Sequence, residues 1–206
     1  MSRRAGAVSV ETKTVLIQAA AKEFSTLGFD NASLRLICEH AGLTTGALYF
    51  FFKNKEDLFE EILNSVTQPL LEVFECHCQL DVSNPIEVIL GSEQEDYEVL
   101  ESILHLYYQN KDMMDVIFNN RTHPKVIQFF DQIVDMSTKF YIDLVEMMEK
   151  TYPEREPVDR FALHWFAHQE IDVIVSIISH GFDEKEALQH ARPIVKMLRQ
   201  AFLSMF

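Results

Sequence analysis

Residues 33–52 constrain this chain more than any other segment of its sequence. They read as two short helices hinged at Gly42, with the small hydroxyl residues Thr44 and Thr45 opening the second. Two helices joined so tightly form a helix-turn-helix, a unit whose second helix lies in the major groove when it meets duplex DNA. Such a helix needs small or hydrogen-bonding residues at its start, where base edges come within reach, and a rigid apolar back that fixes its angle. Thr44, Thr45, Gly46 and Ala47 fit the first need, and Leu48 and Phe52 the second. Tyr49 and Lys53 are placed to meet phosphates that set the register, and Ser33, Arg35 and Phe50 complete the expected DNA contacts. The bland alternative for Thr44, Thr45 and Tyr49 is an ordinary capped helix in a small bundle.

The flanking sequence is helical too. A first helix is expected from about Ser9 to Leu27, with Leu16, Ala20, Phe24 and Leu27 on one face and Gly28 as its terminator. Asn54 followed by Glu56 and Asp57 reads as a cap with acids in the first turn, opening a fourth helix that runs to about Leu80 and bends at Pro69. Asn84 and Pro85 open a short helix ending at Gly91. The acidic stretch 93–101 leads into a helix ending near Asn110, and another short one reaches Asn120. Past Pro124, residues 125–152 carry a narrow polar stripe of Gln128, Asp131, Asp135, Lys139, Asp143, Glu146 and Lys150, so most of that helix is expected to be buried. Helices over about 158–180 and 184–205 close the chain as a hairpin, with Gly181 ending one and Asp183 to Glu186 forming a capping box for the other.

The expectation is therefore an all-α protein of about nine helices. An N-terminal three-helix helix-turn-helix domain for DNA binding occupies 1–55, and a larger helical-bundle domain for effector binding and dimerisation occupies 56–206. Composition agrees: 48% of the 206 residues are hydrophobic and only 6 Gly and 6 Pro interrupt them, which suits helices better than a sandwich or barrel. A formal charge of -14 argues against a polyanionic partner until its distribution is considered. Residues 1–55 hold seven Lys and Arg against four Asp and Glu, so the acidic excess lies outside the reading head. Three cysteines, the absence of a secretory segment and no apolar run near the ~20 residues of a membrane span suggest a cytoplasmic protein with no membrane partner.

Several residues now combine. Ala19, Ala20 and Phe24, then Gly28 and Phe29, Ser33, Ile37, the run Ala41, Gly42, Leu43, Thr44, then Gly46, Ala47, Leu48, Tyr49, Phe52, Lys53, Lys55, Glu56 and Leu58 follow one order and spacing. Over roughly residues 10–63 this resembles the TetR/AcrR family of one-component transcriptional repressors. Cys38, in place of the family's usual small Ala, and Phe51, where a His is common, depart from its pattern; Phe51 removes a polar donor near the phosphate backbone. The resemblance implies a homodimer built through the last two helices as a four-helix bundle, a palindromic double-stranded DNA operator, and an effector cavity whose occupation shifts the reading heads apart. On the last two helices Ile171, Val175, Ile178, Leu188, Ile194, Leu198 and Phe202 are the expected dimerisation residues, offering more apolar surface than one small bundle needs.

An effector site is expected from Tyr107, Phe118, Phe130, Phe140, Trp165, Phe166, His168 and Glu170, although core packing explains most of the aromatics equally well. Glu170 and Asp172 in an apolar helix suit either a cationic small molecule or a pair facing water or a partner, so the effector is read as hydrophobic or cationic. No metal is expected. Cys76, His77 and Cys78 are adjacent and cannot converge on one ion; His164 and His168, at i and i+4, could hold a metal with Glu170 or Asp172 but read rather as interior or interfacial residues. Arg3 and Arg4 fit either a solvated tail or a minor-groove arm, and Lys55 either a solvated helix start or a backbone contact. No nucleophile motif, phosphate loop or His-Glu-x-x-His pattern is present, so neither an enzyme nor a cofactor is expected. The reading is a ligand-responsive DNA-binding repressor. Its rival is a helical small-molecule-binding or scaffold protein without specific DNA binding, for which changing Tyr49 would cost nothing.

Overall fold

The computed structural model describes residues 2–79, 90–91 and 93–205, with side chains from residue 10 onward. Among the described residues lie nine helices and no strand: α1 Ser2–Asn31, α2 Leu34–His40, α3 Thr45–Phe51, α4 Lys55–His77, α5 Glu93–Gln109, α6 Lys111–Phe118, α7 Pro124–Thr151, α8 Arg160–Ser179 and α9 Glu184–Leu203. The helix expected between Asn84 and Gly91 and the side chains of Arg3 and Arg4 lie outside the described residues. None of the described helices is long and apolar enough to cross a membrane. The chain forms two compact units, Met1–Gln68 with Asn110–Ile127, and Pro69–Gln109 with Gln128–Phe206. Helix α4 contributes to both, and the division falls at Pro69, where the helix lacks one backbone N–H.

In the first unit Leu16, Ala20 and Phe24 of α1 are fully buried, as their spacing predicts. Helix α1 starts at Ser2 rather than Ser9, and Leu27 is 44% exposed rather than on the buried face. The cause is the break at Gly28, whose φ of 75° only glycine adopts without strain. Beyond it the chain turns, and Phe29 takes the inward place, its ring 5.9 Å from Phe24 and 5.0 Å from Phe59 of α4.

Breaking a helix against its neighbours exposes backbone groups that need partners. Lys55 supplies some of them: its ammonium donates to the carbonyls of Phe29, Asp30 and Ala32 at 2.7, 3.2 and 3.2 Å, and lies over the Phe29 ring. Asn120, just past α6 and 5% exposed, accepts from the Phe29 N–H and donates to the carbonyls of Phe24 and Val116 at 3.0 and 2.8 Å. Asn119 adds a bond to the Ser25 carbonyl. Helix α6 is thereby fastened along α1, and the amino-terminal core includes a segment 90 residues distant in sequence.

In the second unit α5, α8 and α9 pack together. The acidic stretch 93–101 is itself helical, forming the first turns of α5. Arg199 of α9 donates to Asp96 at 2.7 Å and to the carbonyls of Leu90 and Gly91, while Tyr108 donates to the Phe182 carbonyl at 2.9 Å. The capping box at Asp183 forms as its sequence predicts. All seven polar-stripe residues of α7 are exposed, but so are Ile127 and Gln132, and the buried face is limited to positions such as Phe129, Ile133, Val134, Tyr141, Leu144, Val145 and Met148. That helix is amphipathic rather than mostly buried. Glu149, near its end, accepts a two-pronged bond from Arg160 at 2.8 and 3.1 Å, which closes the loop into α8.

Because three backbone groups bond to Asn120, two of them in buried contacts, Asn120→Ala is expected to lower stability by about 2 to 3 kcal/mol in urea unfolding. Asn119→Ala, which gives up a single exposed bond, should cost under about 1 kcal/mol.

Candidate DNA-reading surface and sensing site

The turn between α2 and α3 is built by local hydrogen bonds. Gly42 adopts φ 66°, its N–H reaches the Glu39 carbonyl at 3.1 Å, and the Leu43 N–H reaches the Cys38 carbonyl at 2.8 Å. Thr44 then caps α3, its hydroxyl accepting the Ala47 N–H at 3.2 Å. The helix is held from behind: Leu48 is fully buried and Phe52 is 3% exposed. Thr44, Thr45, Gly46, Tyr49, Phe50 and Lys53 are exposed, and Ala47 is half-buried. On α2, Arg35 is exposed and Ser33 at its cap half-buried. Cys38 is buried and desolvation raises its thiol pKa, so it packs as a small hydrophobe. Asn54 accepts from the Asp57 N–H and Asp57 from the Lys53 N–H, which fixes the start of α4 directly behind the exposed helix. Lys55 is spent inside the fold, leaving Lys53 as the outward cation of that pair.

In the second unit Tyr141 of α7, which the sequence reading overlooked, gathers part of the expected effector set. Its hydroxyl donates to the Glu170 carboxylate at 2.6 Å, and its ring lies 5.4 Å from Phe140, 5.4 Å from Phe166 and 4.9 Å from Phe202. Desolvation is the main reason the Glu170 pKa is pushed up to about 7, with the charge of Asp96 adding to it and the Tyr141 bond opposing it. Burial also drives the Cys78 thiol up to about 11, and Glu170 adds to that shift. The Tyr141 phenol is raised as well, by burial first and by Glu170 second, and stays protonated as a donor. The other expected residues are dispersed. Tyr107 is buried on α5, Phe130 packs beside Phe129, His168 is exposed beside His164, Trp165 is 53% exposed, and Phe118 belongs to the first unit. An open groove of about 720 Å³, lined by Tyr97, Leu188 and Arg192 among others, includes none of the expected effector residues. Among the described residues no three His, Cys, Asp or Glu side chains are arranged to hold a metal ion.

Residues 16–62 match the family model for bacterial regulatory proteins of the tetR family. The matched span starts in α1 and ends in α4, so it takes in the whole of α2 and α3. The likeness to the tetR family is therefore carried by the segment that holds the two short helices and their flanks. Members of this family are transcriptional regulators rather than enzymes; they bind DNA operators and act as dimers with small-molecule effectors. The transcriptional repressor BepR of Brucella suis biovar 1 (strain 1330) is 24% identical over 182 residues, 88% of this chain and 84% of that one. The regulator AcrR of Shigella flexneri is 40% identical, but over 62 residues, 30% of this chain and 29% of its own length. A TetR-like regulator from Rhodococcus sp. RHA1 shares the fold with a TM-score of 0.63 at 15% identity, covering 94% of this chain and 96% of that one.

The residues expected at a dimer interface differ in their exposure within the protomer. Ile171, Val175, Ile178 and Phe202 are buried within the protomer at 5 to 7% exposure, and Leu188, Ile194 and Leu198 are half-buried. Helix α8 is apolar around most of its circumference, so its sequence could not show which side faces its own core. The outward apolar side chains of the closing helices are Phe161 and Trp165 on α8 and Met197 on α9.

With its pKa pushed up to about 7, Glu170 is more protonated in the folded chain than in the unfolded chain between about pH 4.5 and 7. The fold then binds more protons than the unfolded state, so this residue's contribution to stability falls as pH rises through the window. Denaturant unfolding of the wild type and Glu170→Gln from pH 4 to 8 should show the wild type losing ground to the variant across that interval and running parallel above it. A constant difference would show that the carboxyl is not desolvated.

Proposed function

We propose that this chain is a repressor that binds a palindromic operator as a homodimer and is released by a small molecule, with residues 1–55 reading DNA and 56–206 sensing and dimerising. The observation that carries this reading is the exposed start of α3 on a locked apolar back, within the segment that matches the family model. The name of BepR as a repressor supports the sign of regulation. Ser33, Arg35, Thr44, Thr45, Gly46, Ala47, Tyr49, Phe50 and Lys53 form the contact surface, with Thr45 at base edges and Tyr49 and Lys53 at phosphates. Gly46 supports a close approach. A Cβ there would meet only the Thr44 hydroxyl at 3.8 Å, an ordinary contact, so the fold itself does not require glycine at this position.

Two recognition helices, one per protomer, then read half-sites whose spacing is set by the dimer. The second copy docks on the outward face that carries Phe161, Trp165 and Met197. The effector is a hydrophobic or cationic small molecule that meets the Tyr141, Phe166 and Glu170 cluster; a cation would stabilise the ionised form of Glu170, which the surroundings otherwise disfavour. By linkage, an effector that weakens operator binding must itself bind less tightly to the operator-bound dimer, by the same factor.

Binding titrations at several salt concentrations, paired with thermal unfolding, test the contact roles. Lys53→Ala should weaken binding to all duplexes alike and reduce the slope of log affinity against log salt by about one. Gly46→Ala should raise stability by about 0.5 to 1 kcal/mol, as expected within a helix, and yet lower operator affinity. Unchanged affinity in both variants would remove α3 from the interface.

A further inference from the structure

The reading helix is notable for the chemistry it lacks. Of the side chains that α3 and its cap expose, Thr44, Thr45, Tyr49 and Phe50, none carries the amide or guanidinium fork that reads a purine edge through two hydrogen bonds. The Thr44 hydroxyl is already engaged by the Ala47 N–H. Gly46 and Ala47 add no polar side-chain atom. Arg35 sits on α2, the helix that in this motif crosses the sugar-phosphate backbone.

What α3 presents instead is a bare ring. Phe50 is 77% exposed, more than any other large apolar side chain among the described residues. Phe51 meets it edge-on at 5.0 Å, which limits how the ring can turn. Phe50 lies exposed on the helix that the DNA-binding reading seats in the groove, and exposed Lys53 follows just past the end of that helix. The base-pair edges of the major groove carry one apolar group, the C5-methyl of thymine.

Resting on the DNA-binding reading above, the geometry points to Phe50 as a specificity-determining residue that packs against a thymine C5-methyl in each half-site. The operator is then read by apolar contact in addition to the Thr45 hydroxyl, and a thymine is required at a fixed position in each half.

Duplexes recovered from a random pool by the full-length chain provide the test. Each recovered site is resynthesised with deoxyuridine in place of its enriched thymines, which removes the methyl groups and leaves every hydrogen bond of the base pair. Affinity should fall about fourfold per contacted methyl, and on the order of tenfold over a symmetric site. Phe50→Ala should bind both forms equally, and Phe50→Leu should keep part of the discrimination; both change an exposed side chain, and circular dichroism checks that they fold. Recovered sites lacking an enriched thymine, or equal wild-type affinity for the two forms, would overturn the methyl contact while leaving DNA binding intact. Discrimination that survives in Phe50→Ala would overturn the assignment to Phe50. Recovery of no duplex at all would overturn the DNA-binding reading and this inference together.

Discussion

The break in α1 at Gly28 is the constraint on which the first unit depends. A helix that turns sharply against its neighbours leaves carbonyls and an N–H without intrahelical partners, and burial makes such groups costly unless they are bonded. Here two side chains from distant parts of the chain meet that need: Lys55 takes three carbonyls and Asn120 binds on both sides of the break. With that end fixed, Phe29 joins Phe24, Phe59 and His123 in one aromatic cluster, whose rings lie 4.4 to 5.9 Å apart. Helices α2 and α3 are then carried on a rigid base, and only α3 needs to be presented outward.

Charge is arranged to the same end. The acids at the start of α4 find partners within the first unit: Glu56 faces His123 at 3.5 Å, Glu60 faces Lys125 at 2.8 Å and Glu61 faces Lys13. Exposed pairs of this kind add little stability. Lys125 and Lys13 nonetheless set positive charge beside Glu60 and Glu61, in the unit where Arg35 and Lys53 are exposed. The second unit uses charge differently, holding Glu170 against Tyr141, where desolvation disfavours its ionised form below about pH 7.

Much of the reading head was legible in the sequence because it is specified locally. Gly42, the Thr44 cap, the apolar back at Leu48 and Phe52, and the capped start of α4 each depend on residues within a few positions of one another. The capping box at Asp183 was legible for the same reason. Asn120 and Tyr141 were not, because their roles exist only once segments 29 and more residues apart have met. Leu27 was misplaced because periodicity continues through a helix whereas the backbone stops at Gly28. The outward face of α8 was hidden by its uniform apolarity: Trp165 and Ile171 look alike in sequence, yet one is exposed and the other buried.

The central claim is that α3, fixed on this base, enters a major groove twice per assembly. Selection of bound sites by the purified full-length chain from a random duplex pool tests it most directly. The expected result is an enriched inverted repeat whose half-sites are separated by about one helical turn of DNA or a multiple of it. Enrichment of nothing, or of a single half-site with no two-fold partner, would contradict it.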